Sequence, residues 1–209
     1  GDKPLDPVRY YTRFTQRLVA ALSSPMAEGV LYEVDLRLRP SGNKGPVATS
    51  IRAFGKYQAE DAWTWEHMAL TRARAVAGDE TLADRVRATI DEIVGKPRDG
   101  TVLLKDLREM RALIETEKPP KDQWDVKLVP GGLIDIEFIA QYLSLTARAE
   151  GLKPDEPLTG TIEVLEALGP ERIGREAVEK LVAAHRLWTA QTQILRLCLE
   201  GVFEPEDAP

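Results

Sequence analysis

Apolar residues recur at helical spacing along most of this chain, and at strand spacing in two short stretches. Val8, Tyr11, Phe14, Leu18 and Leu22 fall on one face of a helix that Asp6 caps and Pro7 begins; they predict one buried stripe ending near Pro25. From Tyr32 to Pro40 the period drops to two. Glu33, Asp35, Arg37 and Arg39 then share one face of a predicted strand, and Tyr32, Val34, Leu36 and Leu38 the other. Turn formers fill 41–46, with Lys44 among them. Ser50 caps a second predicted helix whose inward stripe is Ile51, Phe54, Tyr57 or Gln58, Ala62, Trp65 and Met68 or Ala69. Residues 71–77 alternate again, so Arg72 and Arg74 share a face if this is a strand; the alternative is the basic end of a helix.

Everything after Gly78 has helical period, which places an expected domain division there: 1–78, then a bundle over 79–203. Leu82, Val86, Ile90 and Ile93 form a stripe that Gly95 stops, and Leu103, Leu107, Met110 and Ile114 another that Pro119 and Pro120 end. Residues 124–130 read as extended. Leu133 to Ala149 is apolar over much of a helix's circumference, as a central bundle helix must be. A short helix around Ile162, Leu165 and Leu168 is expected to stop at Gly169 and Pro170. Val178, Leu181, His185, Trp188, Thr192, Leu195 and Leu199 then step by three and four, the seam of a packed last helix. Residues 204–209 read as a disordered tail. The fold class that results is α+β, mainly α.

At 209 residues and 43% hydrophobic the chain can bury a core. Its net charge of −6, with acids and bases mixed, argues against general binding to nucleic acid or anionic membrane. One cysteine, Cys198, allows no internal disulfide, and no apolar run reaches the roughly 20 residues of a membrane span, so a soluble cytoplasmic protein is expected. The chain begins Gly1-Asp2 without an initiator methionine, which suggests a piece of something longer.

Two stretches could carry chemistry. Two acids followed by two arginines on one strand face suit metal-bound phosphate, although a solvated salt-bridging face is the ordinary reading of such a pattern. Gly131-Gly132-Leu133-Ile134-Asp135-Ile136-Glu137 looks like a glycine turn with paired acids. On a helix, however, positions two apart lie about 200° around the axis, so Asp135 and Glu137 diverge and cannot meet one cation. Trp63 and Trp65 likewise cannot both be central core, and the Glu66 and His67 pair reads first as surface structure. His185, with no Cys or second His at ligand spacing, reads as a satisfied core histidine.

The runs Tyr32-Glu33-Val34-Asp35-Leu36-Arg37-Leu38-Arg39-Pro40-Ser41-Gly42, Ala62-Trp63-Thr64-Trp65-Glu66-His67, Thr71-Arg72-Ala73-Arg74 and Gly131 to Phe138 together resemble the bifunctional glutamine synthetase adenylyltransferase and adenylyl-removing enzymes. The Trp-Thr-Trp-Glu-His form is more similar to the C-terminal, AMP-adding half. The resemblance implies part of a polymerase-β-like nucleotidyltransferase sheet followed by a helical bundle, with ATP as substrate and Mg2+ held by three carboxylates. Asp35 matches the third of these, and Glu33 is a weaker metal candidate. Arg37, Arg39, Arg72 and Arg74 would meet phosphate; Trp63, Trp65, Asp135 and Glu137 would border the seam between the two parts. Implied partners are glutamine synthetase, a PII-type signal protein and glutamine as effector. The family's Gly-Ser loop and Asp-x-Asp pair are absent from this sequence. One carboxylate cannot hold two cations, so the chain is expected to be inactive alone. A non-catalytic helical binding module, an adenylyl-removing half and a uridylyltransferase relative are the alternatives.

Overall fold

Leu133–Ala149, the helix with the broadest apolar circumference, forms the shared wall between two hydrophobic clusters. The computed structural model describes residues 6–27, 29–30, 34–152 and 158–198. Within them the order is α1 (Pro7–Leu22), a two-residue hairpin of β1 (Pro25–Met26) and β2 (Gly29–Val30), α2 (Ile51–Glu60), α3 (Thr64–Leu70), α4 (Glu80–Val94), α5 (Gly100–Glu117), α6 (Leu133–Ala149), α7 (Thr161–Arg172) and α8 (Arg175–Cys198). One side of α6 packs Ile136, Ala140 and Leu143 against Val164, Leu165, Val178 and Val182 of α7 and α8. Leu145 belongs to the other cluster, with Met68, Val94, Leu103 and Leu107. Each large side chain removed from water in this way contributes about 1.5–3 kcal/mol. That two-sided burial is why α6 carries no continuous polar face. The packing of α2 on α4, and of α3 on α4, α5 and α6, runs across the division expected at Gly78.

Helix starts are built from local chemistry, at Asp6 and Ser50 as expected and at Asp79 and Asp99 as well. Asp6 accepts from the Arg9 N–H, Ser50 from Ala53, Asp79 from Leu82 and Asp99 from Thr101 and Val102, each relieving an orphan donor. At the other end of α4, Arg98 donates to the carbonyls of Ile93, Val94 and Lys96. Its guanidinium is half buried there, and burial pulls its pKa below the usual arginine value.

Several expectations are corrected. The α1 stripe is not buried: Val8, Tyr11 and Phe14 each keep more than half of their surface in water, and no residue of α1 is buried. Residues 34–40 are not a strand. Among the described residues the only ladder is the small hairpin, so this stretch has no partner, and its polar groups bond locally instead. The nucleotidyltransferase sheet is therefore not seen in the described residues, and Tyr32, Glu33, Leu199 and the tail lie outside them. The single helix expected from Ser50 through His67 breaks into α2 and α3, because the Glu66 carboxylate reaches back to the Trp63 N–H and starts a new helix there. Nor is 71–77 a strand: the N–H groups of Thr71, Arg72 and Ala73 bond three residues back and finish α3 as turns. Residues 124–130 form successive turns, with Leu128 and Val129 both bonding to the Asp125 carbonyl. On α4 the inward face runs from Ala83 to Ile93 and Val94, leaving Leu82 exposed. The α7 helix runs through Gly169 and Pro170, although Pro170 has no N–H to donate to the preceding turn; the helix ends two residues later at Arg172. Gly169 is there for packing: a Cβ would lie 2.4 Å from Val178 Cγ2 of α8.

Candidate functional site

Asp35 stands in water at the start of the charged stretch and already has a partner. Arg37 donates from Nε and Nη2 to its carboxylate, with Nη2 at 2.6 Å from Oδ2, and the Arg37 backbone N–H adds a bond at 2.8 Å. These bonds, the side-chain ones first, hold the Asp35 carboxyl down to about 2. The alternation predicted that the two side chains would lie on one side, and they do meet, although the backbone between them is not a strand. Arg39 points elsewhere. Its guanidinium donates to the Leu36 carbonyl at 2.5 Å, to Gly45 at 3.1 Å and to Asn43, and so staples its own loop. That loop turns through Ser41 at φ 61° and closes at Gly45, where a Cβ would strike the Pro40 carbonyl oxygen at 1.8 Å.

The loop is tied to the α2–α3 corner through Tyr57. The Tyr57 hydroxyl meets the Ser41 N–H and donates to Glu66 at 2.9 Å, and burial is the main reason its pKa rises. Glu66 is buried, with both oxygens used by Tyr57 and Trp63. His67 lies across the corner with Nε2 2.9 Å from the Gln58 carbonyl, which requires that nitrogen to be the donor. Desolvation outweighs that bond and lowers the His67 pKa. Both residues are thus committed to structure. Trp63 caps α3 and is 71% exposed, whereas Trp65 is half buried, so the pair does divide between surface and interior.

The second stretch lies at the seam, and its two acids diverge as a helix requires. Glu137 pairs with Arg72 at 3.2 Å, joining α6 to the turn after α3. Asp135 accepts from Arg111 of α5 and from the Gly131 N–H, while Arg111 also reaches the Leu128 carbonyl at 3.0 Å. This arginine pins the 124–132 turns to the bundle. The four arginines do not gather on Asp35: Arg37 is on it, Arg39 is in its loop, Arg72 is on Glu137, and Arg74 is exposed. His185 faces the same Arg72 and Glu137 pair from α8. It is not a satisfied core histidine, since its Nδ1 is enclosed with no hydrogen-bond partner among the described residues, and desolvation lowers its pKa.

Sequence reasoning missed Tyr57 as a bridge and Arg111 as a pin. The signal for Arg111 was a cation directly beside Met110 in an inward stripe; for Tyr57 there was none, because its partners are set by the break after α2. No group of three acids, histidines or cysteines able to hold a metal occurs among the described residues. Asp35 alone, engaged by Arg37, does not fit a two-cation site. No helix is long and apolar enough to cross a membrane, among the described residues.

Residues 1–89 match the family model of glutamate-ammonia ligase adenylyltransferase, and residues 108–197 that of GlnD PII-uridylyltransferase. The whole chain is 57% identical to the bifunctional glutamine synthetase adenylyltransferase/adenylyl-removing enzyme of Rhizobium meliloti (strain 1021) and 57% identical to that of Agrobacterium fabrum. It is 58% identical over 199 residues to the Brucella melitensis enzyme of the same name, with 95% of this chain and 20% of that protein covered. The chain spans about a fifth of the length of the Rhizobium and Agrobacterium relatives, 21% of each.

Proposed function

We propose that this chain is part of an adenylyltransferase that moves AMP from ATP to a tyrosine of glutamine synthetase, and that it belongs to the C-terminal, AMP-adding half. The observation that carries the reading is the 57% identity over an alignment that spans all 209 residues, and so covers the stretches around Asp35, Trp63 to His67, Arg72 and Asp135. In this reading 1–78 is the later part of a nucleotidyltransferase domain and 79–203 its helical bundle. Asp35 is the third metal carboxylate, Arg37 leaves it for a phosphate oxygen, and Arg74 adds positive charge. Glu33 stays a secondary metal candidate. Arg39 acts by shaping the loop, and Arg72 by joining the two parts at Glu137. Mg2+ would supply charge neutralisation at the α-phosphate, but no cluster of carboxylates able to hold it occurs among the described residues. The chain by itself is therefore expected not to transfer AMP. The exposed α1 stripe supports this reading, because a 16-residue helix with no buried residue normally needs a surface to lie on.

The match of 108–197 to a PII-uridylyltransferase model favours a second reading for the bundle: a regulatory module that answers to a PII-type protein. Glutamine is proposed as its effector from the resemblance alone. Titrating the chain with Mg-ATP while following tryptophan fluorescence and melting temperature separates the two. Saturable stabilisation that Asp35→Asn abolishes supports a residual nucleotide site. No response, together with measurable binding to glutamine synthetase, supports the module alone. AMP transfer by the isolated chain would refute the expectation of inactivity.

A further inference from the structure

A cleft of about 190 Å³ lies where the turn after α3 meets the middle of α6 and the start of α7. Thr71, Arg72, Gln141, Thr159, Gly160 and Thr161 supply its polar wall, and none of its lining residues is acidic. Gly160, the N-cap of α7, has no side chain to accept from the first helical turn, so the N–H groups of Thr161 and Ile162 stay open to an acceptor from outside the helix. Thr161 is only 8% exposed, yet its hydroxyl makes no hydrogen bond among the described residues. It is not sealed in, as His185 Nδ1 and Trp188 Nε1 are, so it opens on the cleft. The half-buried Gln141 amide likewise has no partner among the described residues. Arg72 is held by one ion pair, from Nη1 to Glu137, and keeps its other donors.

A buried hydroxyl, an amide, a guanidinium and a helix N-terminus around one acid-free cleft call for an acceptor that carries negative charge. Two carboxylates stand beside it, and both are engaged: Glu137 with Arg72, and the exposed Glu163 with the Gly160 N–H at 3.2 Å. Size narrows the choice. Small-molecule pockets run from about 300 Å³ upward, so this cleft takes one small group rather than a nucleotide. We propose that it binds a small oxyanion, a phosphate or a carboxylate group, between Arg72 and the first turn of α7. Bound there, the ion ties the turn after α3 to α7, which share no hydrogen bond or ion pair among the described residues. The site does not depend on nucleotidyl transfer, so a failed ATP titration leaves it standing, and its own failure leaves that reading standing.

The test follows the amide NMR spectrum of the isotope-labelled chain during titration with sodium phosphate and, separately, sodium acetate, with chloride holding the ionic strength constant. Saturable shifts centred on the Thr161 and Ile162 amides and the Gln141 side chain are expected, with a dissociation constant of roughly 1–10 mM for so small an ion. Tighter binding of phosphate assigns the cleft to phosphoryl groups, and tighter binding of acetate to carboxylates. Thr161→Val, which keeps the shape, should weaken the preferred ion at least about threefold, and Arg72→Gln at least about fivefold. An unchanged spectrum away from the cleft shows that each variant folds. Asp35→Asn should leave the shifts as they are. No saturable shift up to about 50 mM of either ion, which would make this a water site only, overturns the proposal. So do shifts scattered over the surface, full binding by both cleft variants, or loss of binding in Asp35→Asn.

Discussion

Replacing Glu66 tests whether the α2–α3 corner is scaffold or chemistry. Glu66→Ala removes the acceptor of the Tyr57 hydroxyl and of the Trp63 N–H, at a residue only 6% exposed. Loss of the helix-start contact costs about 1 kcal/mol, and loss of a hydrogen bond to a buried charged group about 1.5–3 kcal/mol. The sum, about 3 kcal/mol, lowers the melting temperature by roughly 6–12 °C in a chain of this size. Glu66→Gln keeps the shape and one acceptor and should lose less than half as much. The assay is thermal and urea unfolding at pH 7 by far-ultraviolet circular dichroism, with Tyr57→Phe and the double variant completing a cycle. A coupling of about 1–2 kcal/mol between the two sites is expected. A loss below 1 kcal/mol for Glu66→Ala, or simple additivity with Tyr57→Phe, would show that the carboxylate is not held by this corner, and would reopen a proton-transfer role for it.

Arg111→Met breaks the pair with Asp135 and the bond to the Leu128 carbonyl, and should cost about 2–4 kcal/mol because Asp135 stays partly buried without its cation. Its second readout is faster tryptic cleavage after Lys127, as the turns come loose; an unchanged cleavage rate would contradict the pinning role. Leu165→Ala, at a fully buried position between α6, α7 and α8, should cost about 3–5 kcal/mol in urea unfolding, and a loss under 1 kcal/mol would mean that this cluster is not the core. His67 and His185 both have folded pKa values lowered by burial, so the unfolded chain binds protons more readily. Stability is therefore full above about pH 6.5, the unfolded histidine value, and is lost as pH falls through the lower folded values. His185→Gln should flatten that slope in melting curves between pH 7 and 5, and an unchanged slope would argue against it.

Most helices were legible, with the caps Asp6 and Ser50, because their determinants are local; Asp79 and Asp99 follow the same rule. Asp6, Ser50, Asp79 and Asp99 each bond a donor two or three residues ahead, and the apolar period over 133–149 needs no partner to be recognised. The divergence of Asp135 and Glu137 followed from helix geometry alone. The errors fall where the outcome depends on a neighbour. Alternation over 32–40 and 71–77 is a strand only if another strand lies alongside, and among the described residues none does, so both described stretches turn back on themselves. The same holds for α1 and for the exposed Leu187, Ile194 and Leu197 of α8: periodicity announces an apolar face but not what meets it. Gly169 reads as a helix stop until Val178 is seen against it. The sequence by itself determined the starts of α1, α2, α4 and α5, the broad apolar circumference of α6 and the divergence of Asp135 from Glu137, since those rest on contacts within a few residues. Only the tertiary structure decided that Arg39 staples a loop, that Arg111 pins the turns, that Glu66 is locked into the corner and that Arg37 occupies Asp35, because a charged side chain reaches several partners and packing chooses among them.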